Sequence, residues 1–292
     1  MSTTQASHLV STDWLAENMD NPDLKIVDSS FYLPTEGKDP RALFEAEHIP
    51  GAVFFDIDAI ADQNTDLPHM VPSAADFADM TAALGLGSNH TIVVYDQRGV
   101  FSSPRCWWMF RLFGHRDVKV LDGGLPKWKA EARDVTSTPT EQAEASEKLE
   151  RLVGDMDRSM IASRADVMDV LGKETHQIFD ARPAGRFNGT APEPRAELRS
   201  GHMPGSRNIP SSEMISENGT FKNRDAIQAV FSQQGFDTGK PVITSCGSGV
   251  TAAILALGLS EIGHEKVAVY DGSWSEWGLP GETPVVKDDD KP

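Results

Sequence analysis

The sequence is written twice. His48-Ile49-Pro50-Gly51-Ala52 returns as His202-Met203-Pro204-Gly205-Ser206, and Asp122-Gly123-Gly124-Leu125-Pro126-Lys127-Trp128 returns as Asp271-Gly272-Ser273-Trp274-Ser275-Glu276-Trp277. Around these landmarks, residues 24–28 are matched by 177–180, and residues 91–96 by 241–246. The landmarks keep one order and one spacing, far longer than the roughly 20–50 residues of a solenoid repeat. Such a chain is two homologous domains, and the fold of one half constrains the fold of the other. The length of 292 residues suits two domains of about 100–150 residues each. The expected boundaries are 8–134 for the first domain, 135–157 for a linker and 158–285 for the second. The linker stretch is rich in Thr, Ser, Glu and Ala and has no long apolar periodicity.

Within each copy, short apolar runs alternate with amphipathic stretches. Residues 91–95 are a β-branched run suited to a buried parallel strand. A helix is expected over 106–113, with two Trp and two Phe for packing, and a strand over 118–121. In the second copy the same reading gives a strand over 241–244, a helix over 251–262 and a strand over 266–270. Strands alternating with helices predict the α/β class, with a mainly parallel sheet covered by helices on both faces of each domain. Ligands of such sheets sit outside the carboxyl ends of the strands.

The formal charge of −17 repels phosphate backbones and anionic lipids, which argues against nucleic acid and membrane surfaces as partners. No apolar run reaches the roughly 18–20 residues of a membrane span. The N-terminus has neither a secretory pattern nor an Arg-rich transit pattern. Cys106 and Cys246 are the only two cysteines, too few for a disulfide framework or a zinc site. A cytoplasmic, metal-free protein is expected.

The chemistry concentrates at Ser245-Cys246-Gly247-Ser248-Gly249-Val250-Thr251-Ala252. The segment follows an expected strand and opens an expected helix, which places Cys246 at a carboxyl strand end. The two glycines let the backbone curl so that successive N–H groups form an anion nest, and the helix N-terminus adds partial positive charge. Both favour a thiolate nucleophile. Ser248 and Thr251 offer hydroxyls to the same cradle. A lone cysteine after a strand is commonly a small buried hydrophobe, and Cys106 reads that way. The glycines and the strand–loop–helix setting separate Cys246 from that reading.

Two other chemistries fit the loop poorly. Gly247-x-Gly249-x-x-Ala252 with Asp271 matches a dinucleotide fingerprint, but that fingerprint opens a domain, and this one lies near the end of its domain. A cysteine phosphatase needs an arginine six places after the cysteine, where Ala252 stands.

Cys246-Gly247-Ser248-Gly249-Val250-Thr251, Tyr270-Asp271-Gly272-Ser273-Trp274 and His48-Ile49-Pro50-Gly51-Ala52 together resemble the tandem-domain rhodanese family, of the 3-mercaptopyruvate sulfurtransferase type. The resemblance covers nearly the whole chain. It implies two rhodanese-like domains of which only the second is catalytic, in keeping with Asp96 at the position that matches Cys246. It implies transfer of sulfane sulfur from 3-mercaptopyruvate through a Cys246 persulfide to a thiol acceptor, such as thioredoxin or a small thiol, or to cyanide, with release of pyruvate and no cofactor. Thiosulfate-preferring relatives carry basic residues just after the cysteine, where this chain has the neutral Gly247 and Ser248. Arg186 and Arg195 match the family's two substrate arginines. Ser248 is expected to polarise the substrate or supply a proton, Asp58 resembles the acid that assists the Cys246–Ser248 pair, His69 resembles a residue lining the cleft, and Gly247, Gly249, Val250 and Thr251 are expected in the substrate cradle. His48 and His202 are expected to hold their Pro-Gly turns. The alternatives are a thiosulfate:cyanide sulfurtransferase, or a persulfide carrier or interaction module with little turnover.

Overall fold

A computed structural model describes residues 7–140, 149–152 and 154–287. The chain divides into two compact units, one of residues 1–63, 71–157 and 216–221, the other of residues 64–70, 158–215 and 222–292. Each half of the sequence thus lends a short segment to the other half's unit. The described residues of 135–157 fall in the first unit, where Thr136 bridges His48 and Ser88 N–H donates to Glu150 O at 2.7 Å. The remainder of that expected linker, 141–148 and 153, lies outside the described residues.

Each unit is built on a five-stranded sheet. In the first, β1 (Leu9–Val10), β2 (Leu24–Asp28), β3 (Ala52–Phe54), β4 (Thr91–Tyr95) and β5 (Val118–Leu121) lie in the order β1-β5-β4-β2-β3. In the second, β6 (Ile161–Ala162), β7 (Gln177–Asp180), β8 (Arg207–Asn208), β9 (Val242–Ser245) and β10 (Val267–Tyr270) lie in the order β6-β10-β9-β7-β8. Every pairing is parallel. The sequence duplication is therefore also a duplication of topology, and the fold class is the expected α/β.

The central strands β4 and β9 are buried almost throughout, as strands covered on both faces must be. The helices that follow them, Ser103–Leu112 and Ala252–Glu261, are buried at every residue, so their sequences show no polar stripe to betray a helical period. The first begins at Ser103, ahead of the expected Cys106. Pro104 sits in its first turn, where its missing N–H breaks no helical bond. The opening helices of both units start with the same device: Ser11 accepts from Trp14 N–H, and Ser163 forms a capping box with Asp166.

The two His-x-Pro-Gly turns are also built alike. His48 Nδ1 donates to Phe44 O at 2.7 Å and stacks on the Phe44 ring at 4.2 Å. His202 Nδ1 donates to Phe187 O at 2.9 Å and stacks on Phe187 at 3.9 Å. Both histidines hold turns, as expected. Each unit has its own core under these turns, around Val93, Tyr95 and Trp128 in the first and around Ile243, Trp274 and Trp277 in the second.

In the second sheet the chain runs outward from β7 to β8, then returns to β9 and continues to β10 on the other side. The reversal lies between β7 and β9, which is where α/β sheets place ligands. Asp180 ends β7, and Cys246 follows β9 directly. Among the described residues no helix is long and apolar enough to cross a membrane.

Candidate active site

Cys246 is the first residue beyond β9 and is 1 % exposed. The loop 247–251 leads from it to the buried helix Ala252–Glu261. Gly249 carries the turn at φ +80°, a left-handed conformation that favours glycine. Among the described residues no hydrogen bond within the chain takes up the N–H groups of Gly247, Ser248, Val250 and Thr251. The loop therefore presents a set of backbone donors beside a sulfur, at the N-terminus of a helix.

The first unit shows what this loop geometry holds. There the matching residue is Asp96, fully buried. Its Oδ2 accepts from the N–H groups of Phe101 (2.8 Å), Ser102 (3.0 Å) and Ser103 (2.9 Å) and from the Ser103 hydroxyl (2.7 Å), while Oδ1 accepts from Arg98 N–H at 2.9 Å. The first copy of the loop thus wraps its own carboxylate. The second copy has the thiol side chain of Cys246 in place of that acid.

A second turn braces the cysteine loop. Ser273 Oγ accepts from Cys246 N–H at 3.1 Å and donates to Tyr270 O at 2.7 Å. Trp274 N–H donates to Cys246 O at 3.0 Å, and Ser275 N–H to Gly247 O at 2.8 Å. The Ser275 hydroxyl adds a 2.7 Å bond to Gly247 O and accepts from Arg195 Nη1 at 2.9 Å. Arg195 is thereby tied to the loop through one serine.

Arg186 reaches the loop from the other side. A methyl group on Gly247 would stand 3.2 Å from Arg186 Nη2, so the neutral, side-chain-free Gly247 leaves room for the guanidinium. Arg186 is not alone: its Nε and Nη2 donate to Glu193 Oε2 at 2.9 and 2.5 Å. Glu193 Oε1 in turn accepts from Arg182 Nη1 at 2.7 Å, and Arg182 forks onto Asp180 at the end of β7. Arg182 also lies 3.9 Å over the Trp274 ring. Burial opposes charge on Arg182, but Asp180 and Glu193 outweigh it and hold its pKa above the ordinary arginine value. Two guanidinium groups and two carboxylates cancel in this chain of ion pairs, and among the described residues no ion pair engages Arg195.

His69 belongs to the second unit, in the segment 64–70, whose flanking stretches lie in the first. Its Nδ1 donates to Ser248 O at 3.3 Å, and the residue is 6 % exposed with φ +61°. Ser248, itself 7 % exposed, is thus fixed by its backbone. Val250 is buried and Thr251 partly so. Among the expected site residues the second unit brings together Cys246, Gly247, Ser248, Gly249, Val250, Thr251, Arg186, Arg195 and His69. Asp58 lies in the first unit, exposed, in a turn where its N–H donates to Asp56 Oδ1 at 3.1 Å. Cys106 is fully buried, and burial pushes its thiol well above the usual cysteine range, which suits packing rather than chemistry.

Sequence reasoning assigned no role to Arg182, Glu193, Ser273 or Ser275. The available signals were the position of Arg182 just past the end of β7 and the Ser-x-Ser spacing in the repeated Asp-Gly turn, where the first copy has Gly124 and Pro126.

The rhodanese-like domain family matches this chain twice, over residues 11–131 and 163–279. The 3-mercaptopyruvate sulfurtransferase of Rattus norvegicus is 44 % identical over 277 residues, 92 % of this chain and 91 % of its own length. The mitochondrial thiosulfate/3-mercaptopyruvate sulfurtransferase 1 of Arabidopsis thaliana is 42 % identical over 300 residues, 97 % of this chain and 79 % of its own. Among solved structures, SseA from Escherichia coli, described with the 3-mercaptopyruvate sulfotransferases, superposes with a TM-score of 0.81 at 38 % identity, covering 92 % of this chain and 99 % of that one. The chain belongs to the rhodanese-like family, as a tandem of two such domains akin to the 3-mercaptopyruvate/thiosulfate sulfurtransferases.

Proposed function

We propose that this protein moves sulfane sulfur from 3-mercaptopyruvate to a thiol through a persulfide on Cys246. The observation that carries the reading is the cysteine loop itself, whose matching loop in the first unit already holds an anion with the same kind of backbone donors. The substrate carboxylate and ketone dock against Arg186 and Arg195, whose planar forks suit a carboxylate. The Cys246 thiolate attacks the substrate sulfur. The new S–S bond forms as the C–S bond breaks, and the electron pair leaves on the enolate of pyruvate, which takes up a proton to give pyruvate. Ser248 orients the donor or delivers that proton. Backbone N–H groups of the loop stabilise the persulfide anion. An acceptor thiolate then attacks the outer sulfur and restores the Cys246 thiolate. Thioredoxin or a small thiol serves as acceptor in a reducing compartment such as the cytoplasm, in keeping with two free cysteines.

The charge balance favours 3-mercaptopyruvate over thiosulfate. With Arg186 already matched by Glu193, one uncompensated arginine faces the donor, which suits a monoanionic keto acid better than a dianion. The test is steady-state transfer to cyanide from each donor under the same conditions. A higher kcat/KM with 3-mercaptopyruvate and parallel double-reciprocal lines are expected. Preference for thiosulfate would overturn the donor assignment, and intersecting lines would overturn the double displacement.

A further inference from the structure

The two copies of the brace differ in a telling way. In both, a backbone N–H of the repeated Asp-Gly turn donates to the carbonyl of the residue that follows the central strand: Leu125 to Asp96 at 3.1 Å, and Trp274 to Cys246 at 3.0 Å. In the first copy that is all the side chains permit. Gly124 has none, and Pro126 offers neither a hydroxyl nor an N–H. In the second copy the same positions are Ser273 and Ser275, and each hydroxyl makes an additional bond to the cysteine loop.

The backbone makes the contrast sharper. Gly124 has φ +53° and Ser273 φ +46°. Both are left-handed, but only glycine adopts that region without strain. A Cβ on Gly124 would come within 2.3 Å of Gly99 O and 2.5 Å of Asp96 O. The copy that carries the cysteine thus tolerates a fully buried serine in a conformation where its sister uses glycine. Strain of this kind persists where function holds it in place.

We infer that Ser273 and Ser275 are positioning residues for the sulfur-transfer site: Ser273 fixes the main chain of the nucleophile, and Ser275 couples the loop to the donor-binding Arg195. Cys246 N–H, engaged by Ser273, is withdrawn from the nest, so the nucleophile is held by its own backbone while the following N–H groups remain for the anion. The inference rests on the function proposed above and adds two residues to it with separate kinetic signatures.

S273G installs the glycine of the first copy, and S275A removes the Ser275 hydroxyl. S273G removes the hydroxyl and the strain together. Relief of the strain is offset by the orphaned Cys246 N–H, so the variant's melting temperature should stay near that of the wild type, while kcat with 3-mercaptopyruvate falls by roughly two- to tenfold, the rate equivalent of one hydrogen bond, at little changed KM. S275A should instead raise the donor KM by a similar factor, and in an R195A background it should have no further effect on KM. Wild-type turnover with S273G kinetics unchanged, or equal KM losses from S275A in both backgrounds, would overturn the positioning roles alone. A wild type that turns over neither 3-mercaptopyruvate nor thiosulfate would overturn the functional reading and these roles with it.

Discussion

Replacing Asp96 by Asn keeps the shape of the first-unit loop and removes its charge. The carboxylate accepts five hydrogen bonds, four on Oδ2 and one on Oδ1. An amide must turn its NH2 toward one set of donors, and the cheaper choice faces Arg98 N–H alone. That choice loses one bond and leaves four to a neutral oxygen. Bonds to charged groups contribute about 1.5–3 kcal/mol each and neutral ones about 0.5–1.5 kcal/mol, so the four weakened bonds come to roughly 4 kcal/mol, with about 1 kcal/mol more for the unsatisfied N–H. A neutral amide is cheaper to bury than a carboxylate, which offsets part of this. A net loss of roughly 2–3 kcal/mol remains, a shift of about 4–12 °C in the melting of a unit this size. Calorimetry is the suitable assay, because two units need not unfold in one transition. Well below the transition, Cys246 persulfide formation should be unchanged. A D96N protein within about 0.5 kcal/mol of the wild type would refute the view that this loop is an anion cradle.

Asp28 gives a pH-dependent counterpart. Burial raises its pKa from 3.8 to about 6, against the opposing effect of the Ser30 hydrogen bonds. Its protonated form is the one the fold favours, so its contribution to stability is full below pH 3.8 and is lost as pH rises through 6. D28N should remove that slope and gain up to about 3 kcal/mol at pH 7, read by denaturant titration across the range; an unchanged slope would count against it. Arg182 is 1 % exposed between buried Asp180 and Glu193, so R182M should cost about 3–5 kcal/mol. Adding D180N should recover part of that cost. A stable R182M protein would mean that the buried carboxylates have other partners.

Much of this was legible in the sequence for identifiable reasons. The duplication shows in matched landmarks of the two halves, and the β-branched central strands and the Gly-Ser-Gly turn after Cys246 are local patterns that landed where their period and their glycines place them. The two-residue strands β1, β6 and β8 are too short to show any period. The fully buried helices carry no polar face, so their ends were set by Pro104 and by the loop rather than by amphipathic pattern. The crossing of residues 64–70 and 216–221 between units is a tertiary event with no local mark. Arg182 illustrates the same limit. An arginine after a strand reads as a surface charge until the fold brings Glu193 to its guanidinium. Ser273 went unassigned for a different reason: its left-handed backbone defies serine's own preference, and only the comparison with Gly124 exposes it.

The most direct measurement is the intact mass of the protein after exposure to 3-mercaptopyruvate without acceptor. Addition of one sulfur atom per chain, discharged by a thiol with pyruvate formed in equal amount and lost altogether in a folded C246S variant, is the expected result. A C246S protein that still gains sulfur, or a wild type that releases pyruvate without ever carrying it, would contradict a persulfide on Cys246.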